Sequence, residues 1–308
     1  MQLSIQRLST TARHWATATC LLSAGRLAVV AACTLAAVAV EGGEDAHRAQ
    51  GAARTAFRFV HMTDTHCAQV RRNPPGRFLF DPHRKDLVRS FEIVEAAVRL
   101  INEDVRPDFV VITGDLVDRG RDVASLRRVK AILSKLKCPW YPVIGDHDLR
   151  ASWVSVFGKE RLDYTFRHRG WRFIAADCSL GRLEPASLDR LRRELEADKG
   201  TPTILLIHRP IVLPSVHLVA AKWAYGVKLL TENAGEVLHL IGAHPNVHAV
   251  VAGHCHVAIH CRDGQVDHYV GPALAEGGHQ IAVMSVAGTT IRREFRSVKL
   301  GAAPAATQ

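Results

Sequence analysis

"PDFVVITGD", residues 107–115, is the stretch on which the fold turns. Phe109, Val110, Val111 and Ile112 run together without a polar break, and a glycine and an aspartate close the run. A strand with one wet face alternates apolar and polar residues; a continuous apolar run fits a strand covered on both faces, as in parallel sheets. Upstream, Leu87, Phe91, Val94, Val98 and Ile101 recur at spacings of four and three, which predicts a helix over 86–102 with one apolar face. Further upstream, "FRFVHMTDTH" (57–66) reads as a strand with a polar exit. Downstream, Val123, Leu126, Val129, Leu133 and Leu136 predict a second helix, and "WYPVIGDHD" (140–148) a third strand. This β-α-β-α-β alternation implies parallel strands joined by right-handed crossovers.

The texture then changes. "RLDYTFRHRGWRFIAADCS" (161–179) reads as a hairpin turning at Arg169-Gly170, and "PASLDRLRRELEAD" (185–198) as a helix with Leu188, Leu191 and Leu195 on one side. "PTILLIHRP" (202–210) is a strand. A helical "GEVLHLIGAHP" (235–245) leads to the strand "VHAVVAGHCH" (247–256). Further short strands follow, among them "HQIAVMSVAGTTIRREFRSV" (279–298) with a turn at Gly288. The segment 71–84, with three prolines, is a loop.

Five strands thus end in side chains that ligate metals: Asp64 and His66; Asp115; Asp146 and His147; His208; His254 and His256. Alternation along a strand predicts that Asp64 with His66, and His254 with His256, point the same way while Cys255 turns away. Carboxyl ends of parallel strands share one edge, where ligand crevices form. Carboxylates and imidazoles gathered there need cations. Mixed nitrogen and oxygen donors suit Mn, Fe, Co or Zn and disfavour Mg and Ca.

In this order, "DTH", "GDLVDRG", "GDHD", "HRP" and "GHCH" resemble the calcineurin-like metallophosphoesterase superfamily, with flanking text most like its cyclic-nucleotide and glycerophosphodiester phosphodiesterase branch. The resemblance runs over about residues 57–275. It implies an α/β fold, a four-layer αββα sandwich of two mixed sheets flanked by helices. It implies two metal ions, the first held by Asp64, His66 and His256, the second by Asp146, His208 and His254, with Asp115 between them. His147 would meet the phosphoryl group as electrostatic stabiliser or proton donor, and Arg119 would contact phosphate. The implied chemistry is hydrolysis of a small phosphoester by a hydroxide shared between ions about 3.5–4 Å apart. A phosphodiester is the expected substrate. A phosphomonoesterase or protein phosphatase on the same core, and a weakly active or non-catalytic metal-binding member, are the alternatives.

One residue departs from the family pattern. Asp146 stands where the family carries asparagine, a neutral ligand. Three carboxylates and a hydroxide then cancel two divalent ions formally, where asparagine would leave one positive charge. A neutral centre holds metal more firmly and attracts an anionic diester less. Asp148 is expected to orient a neighbour rather than to bind metal.

The bulk numbers agree with an enzyme-sized globular body. The chain has 308 residues, 47% hydrophobic and 23% charged, enough for a sizeable core. The formal net charge is +10, and residues 1–40 contribute Arg7, Arg13 and Arg26 with no acid, which leaves +7 for the rest. No long basic run or basic–aromatic interleaving appears, so a stable nucleic-acid partner is not expected. "LAVVAACTLAAVAV" (27–40) is too short to span a bilayer and reads as an export signal cut near Ala39, followed by a linker over 41–56. "VAAC" (30–33) leaves a lipid anchor open, and the Arg/Ser/Thr-rich leader an organelle signal. The domain is expected over 57–300, with an Ala/Pro tail at 301–308. Seven cysteines form no CxxC pair; Cys67, Cys255 and Cys261 read as buried thiols or, after export, as disulfide partners. The segment 211–232, with Trp223 and Tyr225, either walls the site or packs as a helix.

Overall fold

A computed structural model describes residues 56–73, 85–217 and 229–301. The leader, almost all of the linker, the 74–84 part of the proline-rich loop, Trp223, Tyr225 and the 302–308 tail lie outside the described residues. Among the described residues, no helix is long and apolar enough to cross a membrane.

The first sheet holds β1 (Phe57–Met62), β2 (Phe109–Thr113), β3 (Trp140–Val143) and the hairpin β10 (Gln280–Ala287) and β11 (Thr290–Ser297), in the order β11-β10-β1-β2-β3. The strands β1, β2 and β3 are parallel, and β10 runs antiparallel to β1. The second sheet holds β4 (Tyr164–His168), β5 (Trp171–Ala175), β6 (Thr203–Leu206), β7 (Val247–Ala252), β8 (Ile259–Asp263) and β9 (Val266–Val270), in the order β4-β5-β6-β7-β9-β8. There β5, β6, β7 and β9 are parallel, while β4 and β8 are antiparallel at the edges. Both sheets are therefore mixed.

The continuous apolar run of β2 is explained by what covers it. Phe109 and Val111 face the second sheet, among Phe57, Phe59, Phe173, Ile204, Leu206 and Val251. Val110 and Ile112 face the opposite way, into a cluster that includes Phe91, Val94, Val98, Leu126 and Val129 from two helices. Those helices are α1 (Ser90–Leu100) and α2 (Val123–Leu133). Aromatic rings fill much of the gap between the sheets; Phe59 stacks on Phe109 with centroids 5.1 Å apart. On the far face of the second sheet pack α4 (Pro185–Ala197) and α5 (Ala234–Gly242), through Leu191, Leu195, Val237 and Ile241. The layers run helix, sheet, sheet, helix.

Local chemistry explains several boundaries. Asp122 caps α2 by accepting from the Ser125 amide at 2.9 Å. Pro185 opens α4, where its missing N–H costs nothing. The hairpin turn falls at Arg169 and Gly170, both left-handed at φ 43° and 81°, as a tight two-residue turn between twisted strands requires. Other boundaries differ from the sequence reading. Helix α1 starts at Ser90 rather than 86, and passes into a π-helical turn over Ile101–Val105. Helix α3 (Arg150–Phe157) was not expected, because its apolar residues form no clean stripe. Its Trp153 is nevertheless fully buried.

Candidate metal centre

The loops after β1, β2, β3, β6 and β7 meet at the carboxyl edges of the two sheets. Backbone bonds stitch them together: Asp64 N donates to Gly114 O at 3.1 Å, and Gly253 N to His208 O at 2.9 Å. The amide of His254 reaches across the sheets to Asp64 Oδ2 at 3.1 Å. Two glycines permit this crowding. A Cβ on Gly145 would collide with the backbone nitrogen and carboxylate of Asp115, and one on Gly253 with Thr63 Oγ1 and the Asp64 carboxylate.

Strand alternation is not what aims the ligating side chains, contrary to the expectation from their i, i+2 spacing. Strand β1 ends at Met62 and β7 at Ala252, so Asp64, His66, His254 and His256 all lie beyond strand. Each is instead left-handed, with φ of 53°, 40°, 70° and 63°, and Asp115 joins them at 52°. Non-glycine residues avoid this region at a cost of about 1–2 kcal/mol each. Strain concentrated in one group of side chains is a mark of a functional site. Cys255 does turn away, packing against the helix-side core of the second sheet.

Two neighbouring clusters of donor atoms frame the centre, each with its atoms within 4.8 Å of one another. The first is Asp64, His66, Asp115 and His256; the second is Asp146, His208 and His254. Asp115 faces both: its Oδ2 lies 3.6 Å from His66 Nε2, and its Oδ1 lies 3.3 Å from His208 Nε2.

The hydrogen bonds set the tautomers. His208 Nδ1 lies 2.7 Å from the Thr113 carbonyl, which can only accept, so Nδ1 carries the proton and Nε2 turns inward. His256 Nδ1 likewise donates to Glu276 Oε1 at 2.5 Å, and its Nε2 lies 3.3 Å from Asp64 Oδ1. His254 is reversed, with Nδ1 inward, 3.3 Å from Asp146 Oδ1.

The centre fits a pair of cations on its own chemistry. Asp64 Oδ1 is buried without a hydrogen-bond partner and points among the imidazoles of the first cluster. His256 is pushed up to about 10: burial opposes this, and the charges of Asp64 and Glu276 override it. His208 is also pushed well up, against burial, by Asp115 and Asp146. These carboxylates call for positive charge, which divalent ions supply more strongly than protons. Asp148, fully buried, is pushed up to about 7 by burial and then by Asp115, despite three backbone N–H donors. His66 goes the other way: burial and then the Lys85 ammonium hold it well below the usual range, neutral and able to ligate.

The remaining candidates fall as follows. His147 is exposed beside the first cluster, its ring edge-on to His66 at 4.7 Å. Its amide donates to Asp115 Oδ1 at 2.9 Å and its Nδ1 to the Asp118 carbonyl at 2.8 Å. Asp146 lies at the open side with its side chain 25% exposed. Its carboxyl is driven far down: burial would raise it, but bonds to His208 and His254 prevail. Arg119 is exposed, and its side chain has no hydrogen bond or ion pair among the described residues. Asp148 does orient neighbours, accepting from the amides of Leu116, Val117 and Gly145 at 3.2, 3.2 and 2.9 Å. All five described cysteines are free thiols, and burial pushes Cys67 and Cys255 up to about 12.

Three residues of the centre escaped the sequence reading: Glu276, Lys85 and the side chain of Asp118. Asp118 carried a signal inside "GDLVDRG"; Glu276 and Lys85 sit in loops where no spacing ties them to a ligand.

The chain is thus a double-sheet α/β sandwich with two His/Asp clusters that both face the carboxylate of Asp115. A model of the calcineurin-like phosphoesterase family matches residues 57–258, and the chain belongs to that family. It is 32% identical over 159 residues, 49% of its length, to a probable cyclic nucleotide phosphodiesterase of Synechococcus. It is 29% identical over 218 residues, 66% of its length, to a cAMP/cGMP dual specificity phosphodiesterase of Mycobacterium tuberculosis. The matches span 59% and 63% of those relatives' own lengths. Among solved structures, a dimetal phosphatase from Danio rerio shares the fold, with a TM-score of 0.64 at 17% identity, covering 79% of this chain and 97% of that one.

Proposed function

We propose that this chain is a dinuclear metal-dependent phosphodiesterase acting on a small diester of the cyclic-nucleotide or glycerophosphodiester type. The observation that carries the reading is Asp115, whose two oxygens face two separate donor clusters. Asp64, His66 and His256 would hold one ion, Asp146, His208 and His254 the other, and Asp115 both. Mn, Fe, Co and Zn fit this donor set. A bound pair supplies positive charge for the phosphoryl oxygens and lowers the pKa of water toward neutrality.

The chain's own residues position the rest. Because Nδ1 of His147 donates to the Asp118 carbonyl, Nε2 is the nitrogen left to deliver a proton to the departing ester oxygen. Anchoring of its amide on Asp115 fixes that ring relative to both clusters. Glu276 holds His256, and Thr113 holds His208, in the tautomer that presents Nε2. Arg119, exposed beside Asp118, is free to meet the substrate's phosphate. The diester names of the relatives, and a centre made less positive by Asp146, support a singly charged diester over a doubly charged monoester.

Protein loaded with Mn or Zn and freed of excess ion is expected to carry two equivalents. It should hydrolyse bis(p-nitrophenyl) phosphate faster than p-nitrophenyl phosphate. No metal uptake, or the reverse preference, sinks the reading. Asp146→Asn restores a positive charge to the centre. It is expected to raise diester turnover on the order of tenfold, about 1.4 kcal/mol of barrier, while loosening metal. Unchanged metal affinity and turnover would show that Asp146 is no ligand. The export signal is part of the same proposal; N-terminal sequencing of protein recovered outside the cytoplasm should begin just after Ala39.

A further inference from the structure

A third donor cluster adjoins the first: His66, Asp118 and His147 also bring their atoms within 4.8 Å of one another. Lys85 stands in it. Its Nζ donates to Asp118 Oδ1 at 3.0 Å and lies 3.2 Å from His66 Nδ1, with the lysine side chain only 18% exposed. We propose that Lys85 is a resident cation of the centre, its ammonium filling this third cluster and thereby capping the metal content at two. The inference rests on the dinuclear reading above.

The ring of His66 makes the case specific. Its Nε2 looks toward Asp64, Asp115 and His256, while its Nδ1 looks toward Asp118, 3.5 Å away. Once Nε2 is committed to a metal, the neutral ring carries its proton on Nδ1. Asp118 Oδ1, which accepts from Lys85 at 3.0 Å and lies 3.5 Å from His66 Nδ1, is then the acceptor that draws this N–H away from the ammonium, as Glu276 accepts from His256. The charges point the same way. Beyond the three carboxylates and hydroxide that two divalent ions cancel, Asp118 and Glu276 add two negative charges, and the ammonium offsets one of them. Without the ammonium, Asp118 and His147 would offer a carboxylate and an imidazole to a further ion. That ion would compete for His66 by displacing its Nδ1 proton. Lysine suits the task because it is a compact charge on a flexible stem and cannot be exchanged with solvent ions.

The test counts metal rather than activity. Parent, Lys85→Arg and Lys85→Met proteins are dialysed to equilibrium against graded free Mn or Zn, and bound metal per chain is measured by mass spectrometry. Methionine keeps most of the stem and removes the charge. Parent and Lys85→Arg are expected to plateau at two equivalents. Lys85→Met should take a third, weaker equivalent that disappears when Asp118→Asn is added. A Lys85→Met plateau at two or fewer, with parent-like circular dichroism, overturns the proposal. Lys85→Gln is measured beside it; should the methionine variant misfold, a Lys85→Gln plateau at two or fewer overturns the proposal in its place. A parent plateau below two instead overturns the dinuclear reading itself, so the two failures are told apart.

Discussion

His147→Ala protein is expected to keep both metal ions and to lose about 10²- to 10⁴-fold in kcat on a diester, the range for removal of a positioned acid. The metals should stay because what ties residue 147 to the centre is its backbone. The amide that donates to Asp115 Oδ1 survives the substitution, so that carboxylate keeps its orientation. What is lost is the imidazole, whose Nδ1 is pinned to the Asp118 carbonyl and whose edge meets His66. A substrate with a good leaving group, such as p-nitrophenolate, needs little protonation. The loss should therefore be smaller on a p-nitrophenyl diester than on one with an alkoxide leaving group. If both substrates lose equally, His147 acts by stabilising charge rather than by giving a proton. If kcat falls less than tenfold on either, His147 takes no part in the reaction.

The second large effect concerns stability. Asp148→Ala removes the carboxylate that accepts from the amides of Leu116, Val117 and Gly145, all fully buried. All three amides lose their acceptor together. An unsatisfied buried donor costs about 1–3 kcal/mol, so three should cost at least about 3 kcal/mol after partial relaxation. In a domain of this size that lowers Tm by about 6–12 °C. The same three amides hold the β2 and β3 loops in register, so Asp115 and His147 should lose their alignment together with the fold. Asp148→Asn keeps one acceptor oxygen and should cost less. A thermal melt of Asp148→Ala within about 2 °C of the parent, less than the shift of a single kcal/mol, would show that the loops are held by other contacts.

Much of this molecule is legible without coordinates. The unbroken apolar run from Phe109 to Ile112 announces a strand covered on both faces, because no face can be left in water. Apolar spacings of three and four mark the helices that do the covering. The hairpin turn at Arg169-Gly170 is legible because glycine tolerates φ of 81°. The candidate metal-binding side chains stand out because charged and imidazole groups directly after buried strands need a reason to be there. Helix α3 was not legible, since its hydrophobic residues do not line one face; Trp153 is placed by the space it fills.

The sequence by itself determined most of the order of strands and helices and which side chains are candidates to bind cations, and its family resemblance implied the two-sheet class. The first two depend on local periodicity and on which residue types bind cations. Only the tertiary structure decided how Asp64, His66, Asp115, His254 and His256 face inward. They do so through left-handed backbone, which no alternation rule predicts and which packing from both sheets enforces. It alone assigned Lys85, Asp118 and Glu276 to the centre. Their contacts cross 19, 33 and 20 positions of chain between loops, and nothing in local composition encodes a meeting that exists only once those loops have been brought together by the folded sheets.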